Sequence, residues 1–305
     1  MNRPLLTIFT PAYNRAHTLS RLHDSLLAQT GVGFEWLVVD DGSTDGTSEL
    51  VHSWEDRSAF PIRYIWQKNS GKHVAHNLGA QEAHGLYFMC VDSDDWLEPD
   101  AVETIARDAK ALDAGAGLLY PKLFDTNTAL DPSRWFPSGT LAVELGDVRM
   151  RYGLVIETAI VFATETLREH PFPVFEGERY IPEESAYYDF RDPEMFQVHA
   201  DCFYRCEYLQ EGLTKNIWAN WLCNPTGTRL ALRKRYEAAC RYRTLRGLKG
   251  RVSSVVGIES LNIGLGVNPG QGLTCGPILR AVLLPMARSC SQDRYGGLTD
   301  VARSE

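Results

Sequence analysis

No CxxC pair, no GxGxxG turn after the first apolar run and no GxxxxGK loop followed by Ser or Thr occurs in this sequence. A dinucleotide fingerprint and a phosphate-cradling P-loop are therefore both missing, and hydride transfer and ATP hydrolysis lose their usual signatures. Seven cysteines, an odd number scattered from Cys90 to Cys290, give no regular disulfide framework. Cys202, Cys206 and Cys223 together with His199 form the one set that would hold zinc, but buried free thiols pack as small apolar groups, and packing is the better reading. Long apolar runs are absent too. Ala281–Ala287, interrupted by Pro285, falls far short of the ~18–20 residues that span a bilayer. The first residues, MNRPLLTIFTPAYNR, lack an apolar run followed by a small-residue cleavage site, so no secretory signal is expected and the chain is placed in the cytoplasm. Excess positive charge is missing as well: the net charge of −8 argues against nucleic acid as a partner.

What is there is a globular chain of 305 residues, 44% apolar and 23% charged. The charge is uneven. From Thr226 onward there are 13 Lys and Arg against 5 Asp and Glu, which leaves 18 against 34 in the first 225 residues. The first hundred residues alternate short β-rich runs with helix-period segments. Leu5–Phe9, Phe34–Val39, Ile62–Trp66 and Leu86–Val91 read as strands; Thr18–Gln29, Gly46–Trp54 and Gly71–His84 read as helices. Such alternation predicts parallel βαβ units joined by right-handed crossovers. A further helix over Asp100–Leu112 and apolar runs at Gly117–Pro121, Leu154–Ala163 and Met195–Tyr204 follow in a more irregular stretch. Arg229–Val252 carries nine Lys and Arg and one Glu between regularly spaced apolar residues, so a basic amphipathic helix is expected up to Gly247.

Ligands of open parallel sheets bind at the carboxyl ends of the strands. Here those loops offer Thr10, Tyr13, Asn14 and Arg15, then Asp40 and Asp41, then Asp92, Asp94 and Asp95. Asp92-Ser93-Asp94 is the most informative: in extended geometry residues i and i+2 point the same way, and two like charges on one side call for a cation. With no histidine companion nearby in sequence, a hard divalent ion, Mn2+ or Mg2+, suits a carboxylate pair completed by substrate phosphates. A solvated acidic turn is the competing reading. Asp40 and Asp41 would accept from a ribose hydroxyl or a base N–H, or else close an Asx turn and cap the next helix.

Thr10-Pro11-Ala12-Tyr13-Asn14-Arg15, Val38-Val39-Asp40-Asp41-Gly42-Ser43-Thr44-Asp45, Gly71-Lys72-His73-Val74-Ala75-His76-Asn77-Leu78-Gly79 and Asp92-Ser93-Asp94-Asp95, in that order, resemble the family-2 glycosyltransferases of the GT-A fold. The resemblance is dense over residues 5–100 and thins toward 220. It implies an α/β architecture with a Rossmann-like, mostly parallel central sheet flanked by helices, an irregular acceptor half and a C-terminal helical extension. The expected divisions are residues 1–100 for the donor, 101–225 for the acceptor and catalytic base, and 226–305 for the basic extension. It also implies inverting transfer of a sugar from a nucleotide donor, most often UDP-linked, to a hydroxyl of a glycan or lipid-linked acceptor in cell-surface polysaccharide or glycolipid synthesis. By that resemblance Thr10, Pro11, Tyr13 and Arg15 line the nucleotide, Asp41 binds the uracil edge, and Lys72 lies near base or diphosphate. Asp92 and Ser93 complete the donor set, and Asp94, with Asp92, holds the metal. Asp95 has no clear role.

An inverting displacement also needs a base on the face opposite the leaving group. The family supplies it from an acidic pair about 90 residues after the DxD, and Gly177–Ser185 resembles that region, with Glu184 as the first candidate and Glu183 as the second. Acids favoured in the first turn of a helix opened by Pro182 are the alternative. Glu211–Asn216 resembles a late loop in which Lys215 would meet phosphate. His199 as a third metal ligand, and His73 and His76 as anything but packing residues, are the weaker readings. The basic tail either lies on anionic lipid, giving peripheral contact at the inner membrane face, or packs back on the acidic body. A sugar-phosphate nucleotidyltransferase would want a Gly- and Arg-rich loop after the first strand, which is missing; a non-catalytic nucleotide-sugar binding module is the other alternative.

Overall fold

The structure, a computed structural model, describes residues 3–112, 117–124, 127, 129–154, 156–207, 216–268, 270–272 and 275–298. The loop expected to carry Lys215 lies outside the described residues. The chain divides into two compact units: Met1–Leu145, Leu154–Phe172 and Phe190–Leu209 form one, and Gly146–Gly153, Pro173–Asp189 and Gln210–Glu305 the other. Residues 101–225 are thus shared between both.

The first unit opens as β1 (Leu6–Ala12), α1 (Leu19–Leu27), β2 (Phe34–Asp40), α2 (Thr47–Glu55), β3 (Ile62–Trp66), α3 (Lys72–Glu82) and β4 (Tyr87–Cys90). These are the strands and helices read from the alternation, within one or two residues at most ends. β1 pairs in parallel with β2 and β4, and β2 with β3, as crossover connections require. After β5 (Trp96–Leu97) and α4 (Ala101–Ala109), β6 (Gly117–Phe124), β7 (Ala142–Val143), β8 (Thr158–Ala163), β9 (Phe196–Val198) and β10 (Tyr204–Cys206) complete the sheet. The main path runs β3-β2-β1-β4-β8-β6-β10-β5, with β9 beside β6 and β7. β8 is antiparallel to both of its neighbours, so the sheet is mixed beyond β4. The Met195–Tyr204 run proves to be two short strands, β9 and β10, rather than one.

β2 is buried along its whole length, and Leu6, Ile8, Trp36, Val38, Met89 and Val161 join Leu19, Leu22 and Leu26 of α1 in the main core. The heptad-like spacing of those leucines is what turns α1 onto the sheet. Gly42, just past β2, has φ +85°, and a Cβ there would stand 2.8 Å from the Asn69 nitrogen, so the turn needs glycine both for its backbone and for its space.

The second unit is helical among the described residues: α5 (Asp147–Met150), α7 (Glu184–Tyr187), α8 (Ile217–Cys223), α9 (Pro225–Cys240), α10 (Leu245–Gly264) and α11 (Pro277–Tyr295), while α6 (Thr164–Glu169) belongs to the first. The single basic helix expected up to Gly247 is instead two, broken between Cys240 and Leu245 where Thr244 caps α10 through the Gly247 N–H. Its basic residues divide between packing and solvent: Arg233, Arg241, Arg243, Arg246 and Lys249 are exposed. Lys234 donates to Ser185 O and Asp189 and Arg235 to Glu184, contacts of the packing-back kind, while Arg229 bonds Asn262 within the tail itself. No helix among the described residues is long and apolar enough to cross a membrane.

Candidate donor and metal site

The carboxyl ends of β1, β2 and β4 lie side by side because β1 is hydrogen-bonded between the other two; Ala12 pairs with Asp40, and Phe9 with Cys90. The three acidic or polar loops therefore share one rim, as expected of such a sheet. Thr10 is buried and its Oγ1 accepts from the Trp36 indole at 3.0 Å, so it supports the rim from below. Pro11 follows it, Tyr13 is 47% exposed, and Arg15 is half-buried. Asn14 adopts φ 54°, a left-handed conformation that asparagine tolerates, held by its N–H on Ser43 Oγ at 2.8 Å and its Oδ1 under the Thr44 N–H. The first two motifs are thus hydrogen-bonded to one another.

Asp40 and Asp41 are both buried and both committed to loop geometry. Asp40 accepts from Tyr64 Oη at 2.6 Å and from the Ser43 N–H. Burial, then this bond to Asp40, raises the Tyr64 phenol to about 12. Asp41, expected at the uracil edge, accepts from Gln67 Nε2 at 2.6 Å and from the N–H groups of Ser70 and Gly71 at 2.8 Å. It fixes the turn that leads into α3, the helix of the third motif. Asp45 takes the Thr47 N–H at the start of α2. On α3, His76 lies edge-on to Phe9, Phe88 and Phe172, so the packing reading holds for it.

Lys72, at the start of α3, places its Nζ 2.8 Å from Asp92 Oδ1, joining the third motif to the fourth. The acidic triplet is not extended, as the i, i+2 argument supposed: β4 ends at Cys90, and a turn closes with the Asp95 N–H on Asp92 O at 3.0 Å. Charge still gathers there. Burial would raise the Asp92 carboxyl, but the ammonium groups of Lys72 and Lys122 outweigh it and bring it down to about 2. Burial and the neighbouring Asp92 charge push Asp94 up, against Arg15 and Lys72. Arg21 of α1 holds the Asp94 carbonyl and stacks over Trp96 at 4.0 Å. Ser93 is buried in the turn. Two carboxylates offering hard oxygen donors on one turn, one of them raised by the other's charge, fit a divalent cation completed by phosphate oxygens.

Asp95 is different. Its carboxylate is buried, accepts from Tyr204 Oη at 2.7 Å and lies 3.8 Å from Lys122 Nζ; burial, partly offset by Lys122, raises it to about 7. Sequence reasoning passes over Tyr204 and Lys122, because neither lies near a motif in sequence.

His199 is not beside the DxD set. With Asp108 and Asp201 it forms a group whose ligand atoms lie within 4.8 Å of one another. Arg107, however, donates to both Asp108 oxygens at 2.8 and 3.0 Å and to Asp201 at 3.2 Å, and Tyr120 Oη adds 2.9 Å to Asp108. The guanidinium already neutralises these acids, so the donor set suits an ion-pair cluster better than a divalent ion. Cys206 turns its thiol to Leu123 O, consistent with packing rather than zinc.

The acidic pair lies in the second unit. Glu184 begins α7 and is held by Arg235 through two guanidinium nitrogens, Nε at 3.1 Å to Oε2, with Tyr188 Oη at 3.2 Å to the same oxygen. Glu183 is exposed and accepts from Tyr187 Oη at 3.1 Å. The whole segment is fastened to α9: Glu178 accepts the Thr226 and Gly227 N–H groups, and Asn224 Oδ1 accepts those of Arg179 and Tyr180. α9 is therefore the support of the acidic pair, a role no signal in the sequence discloses.

Residues 7–155 match the family model described as glycosyl transferase family 2. Among curated relatives, glycosyltransferase GlyA of Streptococcus pneumoniae is 40% identical over 102 residues, 33% of this chain and 14% of its own. Chondroitin synthase of Pasteurella multocida is 40% identical over 105 residues, 34% of this chain and 11% of its own. The matched stretch thus spans only a small part of these relatives. Over nearly the whole chain the fold is similar to that of S. aureus TarS 1–349, with TM-score 0.57 and 18% identity covering 98% of this chain and 91% of that one. It is also similar to the mannosyltransferase PcManGT of Pyrobaculum calidifontis, solved with GDP-Man and Mn2+, with TM-score 0.54 and 17% identity covering 98% and 84%. On the ordered motifs, the sheet that brings them together and these likenesses, residues 7–155 are a glycosyl transferase family 2 domain on a GT-A fold.

Proposed function

We propose that this protein is an inverting, metal-dependent glycosyltransferase that moves a sugar from a UDP-sugar to a hydroxyl of a glycan or lipid-linked acceptor in cell-surface polysaccharide or glycolipid synthesis. The observation that carries the reading is the single rim on which Tyr13, Arg15, Asp41, Lys72 and the Asp92–Asp94 turn meet. Relatives named as chondroitin synthase and neighbours solved with UDP-GlcNAc or GDP-Man and Mn2+ support it.

In this reading Pro11 and Tyr13 form the nucleotide wall over buried Thr10, which supports it from below rather than lining the nucleotide, Asp41 and the turn it fixes meet the uracil edge, and Arg15 and Lys72 face the diphosphate. Asp94, with Asp92, would hold Mn2+ or Mg2+, which supplies Lewis-acid stabilisation of the leaving diphosphate. Ser93 and Asp92 contact the ribose or sugar side. The proton of the acceptor hydroxyl passes to a carboxylate of the Glu183–Glu184 pair as the new bond forms. Glu184 has both oxygens engaged by Arg235 and Tyr188, so neither faces an acceptor hydroxyl; exposed Glu183 is the better-placed base, and Glu184 the residue that holds the turn. The order implied by the resemblance is thereby reversed.

The C-terminal segment is proposed to meet anionic lipid through α11 rather than α9. Ile278, Val282 and Met286, 79%, 70% and 53% exposed, follow one another at a spacing of four on one side of that helix, within a unit whose sequence is rich in Arg and Lys.

Thermal shift against nucleotides and nucleotide sugars, with and without Mn2+, tests the donor reading. The expected result is a Mn2+-dependent rise with UDP and one UDP-sugar that is lost in Asp94→Ala, together with transfer that is lost in Glu183→Gln. A shift with nucleoside triphosphates alone would favour the nucleotidyltransferase. Binding without any turnover of donor, across an acceptor panel, would favour the non-catalytic module.

A further inference from the structure

Tyr204 opens β10, far from the motifs in sequence, yet it touches two members of the acidic turn. Its side chain is fully buried. A phenol has one proton to give and lone pairs to receive with. Here the proton goes to Asp95 Oδ2 at 2.7 Å and the oxygen accepts the Asp92 N–H at 3.2 Å. Lys122, its register partner on the parallel strand β6, lies 4.1 Å above the ring centroid and 3.8 Å from the same Asp95 oxygen. On its other side β10 pairs antiparallel with β5, placing Tyr204 opposite Leu97 and Arg205 opposite Trp96. Arg205 adds a 2.8 Å pair to Glu98, and the Glu98 N–H reaches Phe203 O at 2.8 Å. One short strand thus grips the acidic turn at its first residue, at its last and just beyond.

We propose that Tyr204, seated under Lys122, is a positioning residue that fixes the backbone of Asp92 and commits Asp95 to an anchoring role, leaving Asp92 and Asp94 as the carboxylates turned to the cation. The inference rests on the metal-dependent reading above. Releasing Asp95 to serve as a third ligand would strip the buried phenol of its acceptor and Lys122 of a neighbouring anion, and a buried donor left without an acceptor is disfavoured. Residues that orient ligands from behind matter to a metal almost as much as the ligands do: their loss typically weakens metal affinity by roughly 10–100-fold.

The test measures Mn2+ binding to the full chain in the presence of UDP, by isothermal titration and by the electron paramagnetic resonance signal of unbound Mn2+. Four proteins are compared: wild type, Tyr204→Phe, Asp95→Asn and Asp94→Asn. Tyr204→Phe keeps the ring and the Lys122 contact and is expected to weaken Mn2+ binding about tenfold with near-UV circular dichroism unchanged. Asp95→Asn keeps a carbonyl to accept the phenol proton and should bind Mn2+ within about twofold of wild type, whereas Asp94→Asn should lose it. Wild-type affinity in Tyr204→Phe, or a loss in Asp95→Asn as large as in Asp94→Asn, overturns the inference while leaving the metal site intact. Absence of Mn2+ binding in the wild type overturns the metal-dependent reading and the inference with it. Should Tyr204→Phe misfold, Asp95→Asn alone decides between anchor and ligand.

Discussion

Lys72 Nζ stands 2.8 Å from Asp92 Oδ1, and through that pair the helix of the third motif reaches across to the turn of the fourth. The ammonium neutralises part of the acidic turn while presenting positive charge to whatever enters from solvent. Removing it should therefore split two affinities in opposite directions. In Lys72→Met, UDP-sugar should bind roughly 10–100-fold more weakly, the size of a lost charge-assisted hydrogen bond, while Mn2+ alone should bind a few-fold more tightly because Asp92 has lost a competing cation. Titration of each ligand separately checks this, and a parallel loss of both would mean that Lys72 serves the turn's geometry alone.

Arg235 and Glu184 are both largely buried, with side chains 14% and 19% exposed. Breaking such a pair from one side leaves a charge without its partner, which costs about 3–5 kcal/mol, whereas removing both charges is far milder. Arg235→Met should lower the urea midpoint strongly, and adding Glu184→Leu should recover most of the loss. If the double variant is no more stable than the single one, the pair contributes packing rather than charge.

His23 of α1 stacks on Trp54 with ring centroids 4.2 Å apart and planes 5° from parallel. Burial holds its imidazole below the usual 6.5, against the opposing pull of Asp24. Between that lowered value and 6.5 the unfolded chain binds more protons than the folded one, so stability rises with pH there, is complete above it and declines as pH falls below about 6.5. His23→Phe keeps the stack and removes the proton site. Its melting temperature should fall less than that of the wild type between about pH 7.5 and 5.5; equal falls would exclude His23 as a source of the slope.

For α11, co-sedimentation with vesicles is the direct check. Wild type should pellet with phosphatidylserine vesicles more than with phosphatidylcholine alone, and Ile278→Glu or Val282→Glu should abolish the difference, since each sets a carboxylate in the apolar stripe. Unchanged binding in these variants would move the contact elsewhere.

The first four strands and three helices are legible in the sequence because the strands are short β-rich apolar runs, the helices keep an apolar period, and they end in or near Gly, Pro, Asn or Asp. The acidic and polar loops are legible for the same reason: they stand where strands end. The C-terminal helices are less so, for a reason visible in α10. Gly247, Gly250, Gly257 and Gly264 sit in that helix although glycine is a poor helix former, because neighbours come too close for a side chain. A Cβ on Gly250 would stand 2.9 Å from Ala239 Cβ, and one on Gly257 3.1 Å from Leu232. Packing overrides propensity there, and a single sequence does not display packing. Tyr204 is hidden likewise: a three-residue strand leaves no period, and its register partner Lys122 is far from it in the chain.

The position of β8 has a bearing on how the protein is made. It fills the gap between β4 and β6, yet it begins at Thr158, after the family match has ended. A nascent chain that has emerged only to residue 155 leaves the outer edge of β4 open and holds β5, β6 and β7 without any strand partner, since β8, β9 and β10 are still to come. β6 joins β4 only once β8 leaves the ribosome, so a fragment cut at the family boundary should aggregate, and the shortest fragment that carries β6 in the same sheet as β4 must include Ala163.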